Sequence, residues 1–335
     1  MPSVPHLREC WCAADELVPF GDGYAHCVSC HTLVRQGGLS DRDLHVVDDA
    51  RDFYGRRYWL AHQTQDLGLP DIYARARADL PERCVDWLET LLRYRRPPAK
   101  VLEVGAGHGA YTALLGWAGF EAIALDLSPW TADFARERFG IRYLVGPAEE
   151  QEFEPESFDV VVANDVLEHL AAPKSSLATW ARLLKRDGLL IFQTPDFAPD
   201  RSYDQLVAEA DDFLQHMLRA GDEHLYLFSR AAAAQLLAEV GLSNVAFVEA
   251  TYPYDMLGVA SSQAVETLDD DAAATIGCAP TAPLVLALLD SRKAWRTSER
   301  DRAERLTVIE RLDGALRDAE ADRPRSRLPR IRRGM

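Results

Sequence analysis

The chain has 335 residues, of which 47% are hydrophobic, and a formal net charge of −16. It carries enough apolar material for a sizeable core, as one large domain with additions or as two, while its negative charge argues against nucleic acid as the main partner, because a phosphate backbone would be repelled. No apolar run reaches the roughly eighteen residues of a membrane span and the N-terminus lacks a signal-peptide core, so a cytoplasmic location is expected.

Four of the six cysteines fall near the N-terminus as Cys10-x-Cys12 and Cys27-x-x-Cys30. Two close pairs around a short polar, glycine-containing stretch point to a structural zinc site over residues 1–40 rather than to disulfides. The C-x-C spacing is tighter than a usual knuckle, so His26 or His31 is an alternative ligand, and reduced free thiols are the competing reading. Residues 41–96 are helical in pattern and rich in aromatics. Val85, Leu88, Leu91 and Leu92 share a helix face expected to cover a sheet, and the run from Tyr54 to Trp59 supplies rings suited to a lid over a flat acceptor.

From 97 to 263 strand and helix alternate, the pattern of a doubly wound, mostly parallel sheet with helices on both faces. Strands are expected near 100–104, 121–126, 141–145, 158–163, 188–194, 244–250 and 254–261, the last two close enough to pair antiparallel. The run Val101-Leu102-Glu103-Val104-Gly105-Ala106-Gly107-His108-Gly109 reads as a buried strand breaking into a glycine turn that opens a helix. Gly105, Gly107 and Ala110 also satisfy a dinucleotide fingerprint, with Asp126 near the position of its ribose acid. Glu103 separates the two readings: a carboxylate there would repel a pyrophosphate but suits a cationic amino-acid ligand such as S-adenosylmethionine, SAM.

On these residues the chain resembles the class I SAM-dependent methyltransferases, from about Pro97 to Gln263. The resemblance implies that Glu103, Gly105, Gly107 and Gly109 hold the methionine part of SAM, and that Asp126, followed by Leu127, holds the ribose. It implies an adenine-side loop at Gly146-Pro147-Ala148-Glu149, and a fourth strand ending in Asn164 with an acceptor-side motif through Asp165, Glu168 and His169. Several sugar-modifying methyltransferases resemble this layout, with a small zinc-binding module ahead of the SAM domain, and some bacterial ones are similar in the segment that follows. That segment, 195–229, is an insertion expected to roof the acceptor site, with one helix from about Ser202 to Arg219 and then Asp222-Glu223-His224.

Residues 264–322 read as a linker and a helical extension with Leu306, Ile309, Leu312 and Leu316 on one face, suited to pairing subunits in a homo-oligomer, and 323–335 as a disordered basic tail. The function expected is methylation of a hydroxyl of a sugar, glycan or glycosylated natural product, with His169 as base and His224 orienting the acceptor. The alternatives are a C-methyltransferase on a nucleotide-linked ketosugar and a catalytically silent assembly protein.

Overall fold

A computed structural model describes residues 7–219, 223–268 and 272–321. Asp222, expected beside His224, part of the linker and the basic tail lie outside them. The chain divides into a unit spanning 1–286 and a second spanning 287–335.

The first unit holds both of its sheets. Three short strands, β1 (Leu17–Gly21), β2 (Tyr24–Cys27) and β3 (Leu33–Arg35), form an antiparallel meander. The central sheet contains β4 (Lys100–Val104), β5 (Glu121–Asp126), β6 (Tyr143–Val145), β7 (Phe158–Asn164) and β8 (Leu184–Pro195). Within the insertion β9 is only Tyr226–Leu227, and β10 (Asn244–Val248) and β11 (Asp255–Ser261) close the chain's strands. The order across the seven-stranded sheet is β10-β11-β8-β7-β4-β5-β6, with β11 antiparallel to both neighbours and the others parallel. The doubly wound fold and closing hairpin expected from the sequence are present. β4, β7 and the apolar half of β8 are buried on both faces, which is why they read as continuous apolar runs.

Two local expectations need correction. The strand expected near 188–194 begins earlier, at Leu184, and its pairing with β7 shifts register between Phe158 and Val160. The single helix expected over 202–219 is broken. Ser202 and Gln205 form a capping box that starts a helix at Tyr203–Ala208, but Ala210 adopts φ +49 and only a wide turn, Leu214–Leu218, follows. A residue in left-handed conformation ends the helical hydrogen-bond ladder whatever the side-chain periodicity.

The four-stranded N-terminal sheet is completed by β9, paired as Leu33↔Leu227 and Val34↔Tyr226. Trp11, Cys27 and Cys30 accordingly belong to the same apolar core as Phe228, Leu236 and the sheet residues Leu102 and Phe192. The described residues of the second unit, 287–321, are helical, with Leu306, Ile309, Leu312 and Leu316 all at least 49% exposed.

At the antiparallel edge the packing leaves no room for a methyl group. A Cβ on Gly258 would sit 2.4 Å from the ring of Phe192, a fully buried residue of β8. Gly258→Ala is expected to cost about 1–3 kcal/mol by overpacking, read as a lower urea midpoint at unchanged slope; an unchanged midpoint would show that the two strands separate freely.

Candidate functional site

The loops that leave the carboxyl ends of β4, β5, β6 and β7 surround a cavity of about 570 Å³, within the range of small-molecule sites. After β4 the glycine loop turns with Gly105 at φ +71 and Gly107 at φ +51. A Cβ on Gly105 would lie 2.4 Å from Val166 Cγ2, so both conformation and space demand glycine there. Backbone bonds from Gly105 and Ala106 to the Leu125 carbonyl, at 2.9 and 3.1 Å, fasten this loop to β5.

Asp126 ends β5 and faces the loop. Its carboxylate accepts from the backbone N–H of Gly107 at 2.9 Å, Leu127 at 2.7 Å and Ser128 at 3.3 Å. Burial outweighs these three donors and raises its pKa. Glu103 is 5% exposed and accepts a hydrogen bond from the Thr112 hydroxyl, and burial pushes it up to about 8. Ser128 caps the next helix, accepting from Thr131 N, with Pro129 in its first turn, as the sequence indicates.

Glu103, Gly105, Gly107, Asp126, Leu127, Ala148, Glu149, Asn164 and His169 all line the cavity. Gly109 does not: at φ +76 it is the N-cap of the following helix, and a Cβ there would meet Ala135 and Ile141 at 2.8 Å, so its role is packing. His224 is also absent from the wall. The Tyr24 hydroxyl donates to its backbone carbonyl at 2.9 Å, its Nδ1 donates to the Met217 carbonyl at 2.9 Å, and its ring lies edge-on to His169 with centroids 5.0 Å apart.

Beside Asn164, the wall holds two polar groups that sequence reasoning passed over, Tyr111 and Trp180. Both amide atoms of Asn164, the Tyr111 hydroxyl and the Trp180 Nε1 are buried against the cavity without a hydrogen-bond partner among the described residues. Buried polar atoms ordinarily find partners, so four such atoms around one cleft mark where a ligand supplies them. Tyr111 and Trp180 sit at helical positions with apolar spacing and look like core from sequence alone.

Above the glycine loop runs a wide, π-type helical segment, Phe53–Asp66, kinked at Gly55 (φ −79, ψ −157), from which Tyr54, Tyr58 and Trp59 line the cavity, where the sequence placed a lid. Trp59 approaches to 3.0 Å of where a Gly107 Cβ would be, and the Arg75 guanidinium lies over its ring at 5.8 Å. Two contacts tie the lid to the acceptor side: Tyr54 Oη is 3.1 Å from His169 Nδ1, and His62 Nε2 is 3.0 Å from the Glu223 carboxylate. Arg83 pairs with Asp165 and lies over Trp87 at 5.0 Å; Trp87 donates to Gln193 at 2.9 Å and also lines the cavity. His169 is pulled down to about 4 by burial and by His224, so its imidazole is neutral at physiological pH.

The four N-terminal cysteines come together. Sγ separations are 3.4 Å for Cys10–Cys30, 3.5 Å for Cys10–Cys12 and 3.6 Å for Cys12–Cys27. Four thiolates at 2.3 Å from one zinc would be about 3.8 Å apart, so the cluster fits that ion and the C-x-C spacing is no obstacle. His26 and His31 stack on each other with centroids 5.3 Å apart and are not members of the cysteine group, which removes them as substitute ligands.

This cleft, on a seven-stranded sheet with an acidic residue ahead of a glycine turn, is that of a SAM-dependent methyltransferase. Residues 75–246 match the family model described as "Methyltransferase domain", about half of the chain, and the protein belongs to that family. Among curated relatives, a malonyl-[acyl-carrier protein] O-methyltransferase of Paenibacillus sp. is 29% identical over 189 residues, 53% of this chain and 68% of that protein. A ubiquinone biosynthesis O-methyltransferase of Thiobacillus denitrificans is 30% identical over 174 residues, 50% of this chain and 73% of that protein. Of solved structures, an O-methyltransferase family protein from Burkholderia thailandensis matches at 25% identity with a TM-score of 0.45, covering 58% of this chain and 59% of that one. No described helix is long and apolar enough to cross a membrane.

Glu103 gives the site a pH signature. Its pKa in the folded chain, about 8, lies above the usual 4.5, so the native state holds the proton more tightly than the unfolded chain. The stability it contributes is complete below about 4.5 and is lost as pH rises through 8, with a ceiling of roughly 5 kcal/mol at 1.36 kcal/mol per unit. Urea unfolding of the ligand-free protein between those limits is expected to show a steeper loss in the wild type than in Glu103→Gln; equal slopes would mean that this carboxyl is not the group that titrates.

Proposed function

We propose that the enzyme transfers the methyl group of SAM to an oxygen of a small-molecule or glycan acceptor bound under the lid. The observation that carries this reading is the pairing of two desolvated carboxylates, Glu103 and Asp126, with partnerless Asn164, Tyr111 and Trp180 around one cleft that ends at His169. Glu103 and the glycine loop would take the methionine end of SAM, where its ammonium compensates the buried carboxyl. Asp126 would take the ribose hydroxyls, and the Ala148–Glu149 loop the adenine side. The aromatic faces of Tyr54, Tyr58 and Trp59, bordered by Arg75 and Asp79, suit a ring that bears hydroxyls, which favours a sugar or glycosylated natural product. A second reading, a phenolic or carboxylate acceptor, is favoured by the likeness to the malonyl-[acyl-carrier protein] and ubiquinone biosynthesis O-methyltransferases. A panel of nucleotide sugars, phenols and acyl carriers offered with labelled SAM separates the two.

The supporting parts follow from the same geometry. Cys10, Cys12, Cys27 and Cys30 would hold a structural zinc that fixes the N-terminal strands, and the exposed Leu306-to-Leu316 face would pair subunits. Methyl transfer from a sulfonium is an in-line displacement, so holding the two reactants in register supplies most of the catalysis, and the remaining task is removal of the acceptor proton. His169, at the acceptor end of the cleft, is assigned that task, with the His224 segment holding it in place.

Asp126→Ala is expected to weaken SAM binding by roughly 1.5–3 kcal/mol for each charge-assisted hydrogen bond lost. Calorimetry giving an unchanged affinity would remove the ribose assignment.

His169→Ala is expected to lower turnover by about 10²–10⁴ at unchanged SAM affinity, the usual scale for a lost proton-transfer group. Measured beside His224→Ala, the opposite pattern would reverse the two roles, and no effect from either would leave a purely positional mechanism.

A further inference from the structure

Beyond the cofactor half of the cleft, three side chains converge whose chemistry the methyl donor does not use: Glu168, His169 and His224, with ligand atoms all within 4.8 Å of one another. Their orientation is set from outside the group. The Glu223 carbonyl lies 3.0 Å from His169 Nδ1, and the Met217 carbonyl lies 2.9 Å from His224 Nδ1. A carbonyl oxygen only accepts, so each Nδ1 carries the hydrogen and each Nε2 keeps a lone pair. Tyr54 Oη, 3.1 Å from His169 Nδ1, adds a second contact on that side of the ring. On Glu168, Oε2 accepts from the Thr194 hydroxyl at 2.9 Å, which leaves Oε1 free, 3.8 Å from His169 Nε2.

That separation is too long for a hydrogen bond. The group brings two imidazoles and a carboxyl together in a setting where Glu168 is 2% exposed and makes no ion pair with Lys or Arg among the described residues. Nitrogen and oxygen ligand atoms gathered this closely, out of water and without a basic partner, are a set that a cation completes. Each of the three also has its other polar atom occupied, the outer-sphere bonding that fixes metal-binding histidines and carboxylates in orientation.

We propose that Glu168, His169 and His224 bind a divalent first-row transition-metal ion, a two-histidine, one-carboxylate site. His169 is the member that lines the cavity, so the ion's open positions are directed to the acceptor. This rests on the reading of the cleft as one that methylates an acceptor oxygen, and it gives His169 a different part there, as ligand and not as base: a coordinated acceptor oxygen sheds its proton to water more readily, the electron pair of the broken O–H bond staying on the oxygen that the ion stabilises.

The test is a cobalt(II) titration of the chelator-stripped full chain, followed by absorption spectroscopy. The expected result is a weak, purely d–d band from this site, separate from any intense thiolate-to-cobalt band of the cysteine cluster. His224→Gln and Glu168→Gln should each abolish the weak band and leave the thiolate band, which also reports that the variants are folded, whereas Cys10→Ser should do the reverse. A wild type with no weak band, or a weak band surviving in both variants, overturns the site. If the stripped protein methylates its acceptor at full rate, the ion site fails and the methyltransferase reading stands; if the ion binds as described and no oxygen acceptor is ever methylated, the acceptor reading fails and the ion site stands.

Discussion

Two carboxylates that no basic side chain neutralises organise this protein. Among the described residues neither Glu103 nor Asp126 has an ion-pair partner, and burial raises the pKa of both. Burial without a cation favours the protonated form of a carboxyl, and a cationic ligand restores the charge. The surrounding chain serves this pair: the glycine turn brings a backbone N–H to Asp126, and Thr112 turns its hydroxyl to Glu103. A ligand bearing an ammonium and a sulfonium relieves the arrangement, whereas a pyrophosphate would make it worse. Asp126 suits the ribose of either cofactor, so it is Glu103 that weighs against a dinucleotide and for the methyl donor.

How much of this was legible depended on the range of the interaction. Strands β4, β5 and β7 announce themselves because burial on both faces leaves a continuous apolar run, and Gly105 because no other residue fits its backbone. Asn164 and His169 were legible through their place after the fourth strand. β9 was not. It is two residues long and its register is set by β3, nearly two hundred positions away, so no local periodicity encodes it. Tyr111 and Trp180 were missed for a related reason: a ring that fills a core and a ring that turns its polar atom into a cleft have the same spacing along a helix.

The pairing of β3 with β9 changes the meaning of the N-terminal cysteines. Read along the sequence, residues 1–40 are a module of their own; in space they hold the insertion. Arg35 N–H donates to the Leu225 carbonyl at 2.9 Å and Leu225 N–H donates to the Glu168 carbonyl at 2.6 Å, so a short chain of backbone bonds links the strand after the cysteine cluster to the motif that carries His169. Whatever fixes Cys27 and Cys30 at either end of the β2–β3 turn also limits where His224 and Glu223 can be. A metal-held turn is rigid without a core of its own, which suits a segment too short to bury one.

The lid adds the last constraint. His62 sits between the carboxylates of Glu223 and Asp66 at 3.0 Å each; burial opposes its charge, but the two acids prevail and raise its pKa, while the Glu223 carboxylate is held below its ordinary range. For His62, the raised pKa means a contribution to closure that is complete below the usual imidazole range and fades as pH rises through the shifted value. For Glu223, the lowered pKa means a contribution present above the usual carboxylate range and lost on acidification. The two overlap across mildly acidic to neutral pH, where a charged pair fastens the lid helix to the insertion. The helix held by that pair also places Tyr54 against His169 and Trp59 over Gly107, so one element touches both the acceptor side and the glycine loop of the cleft.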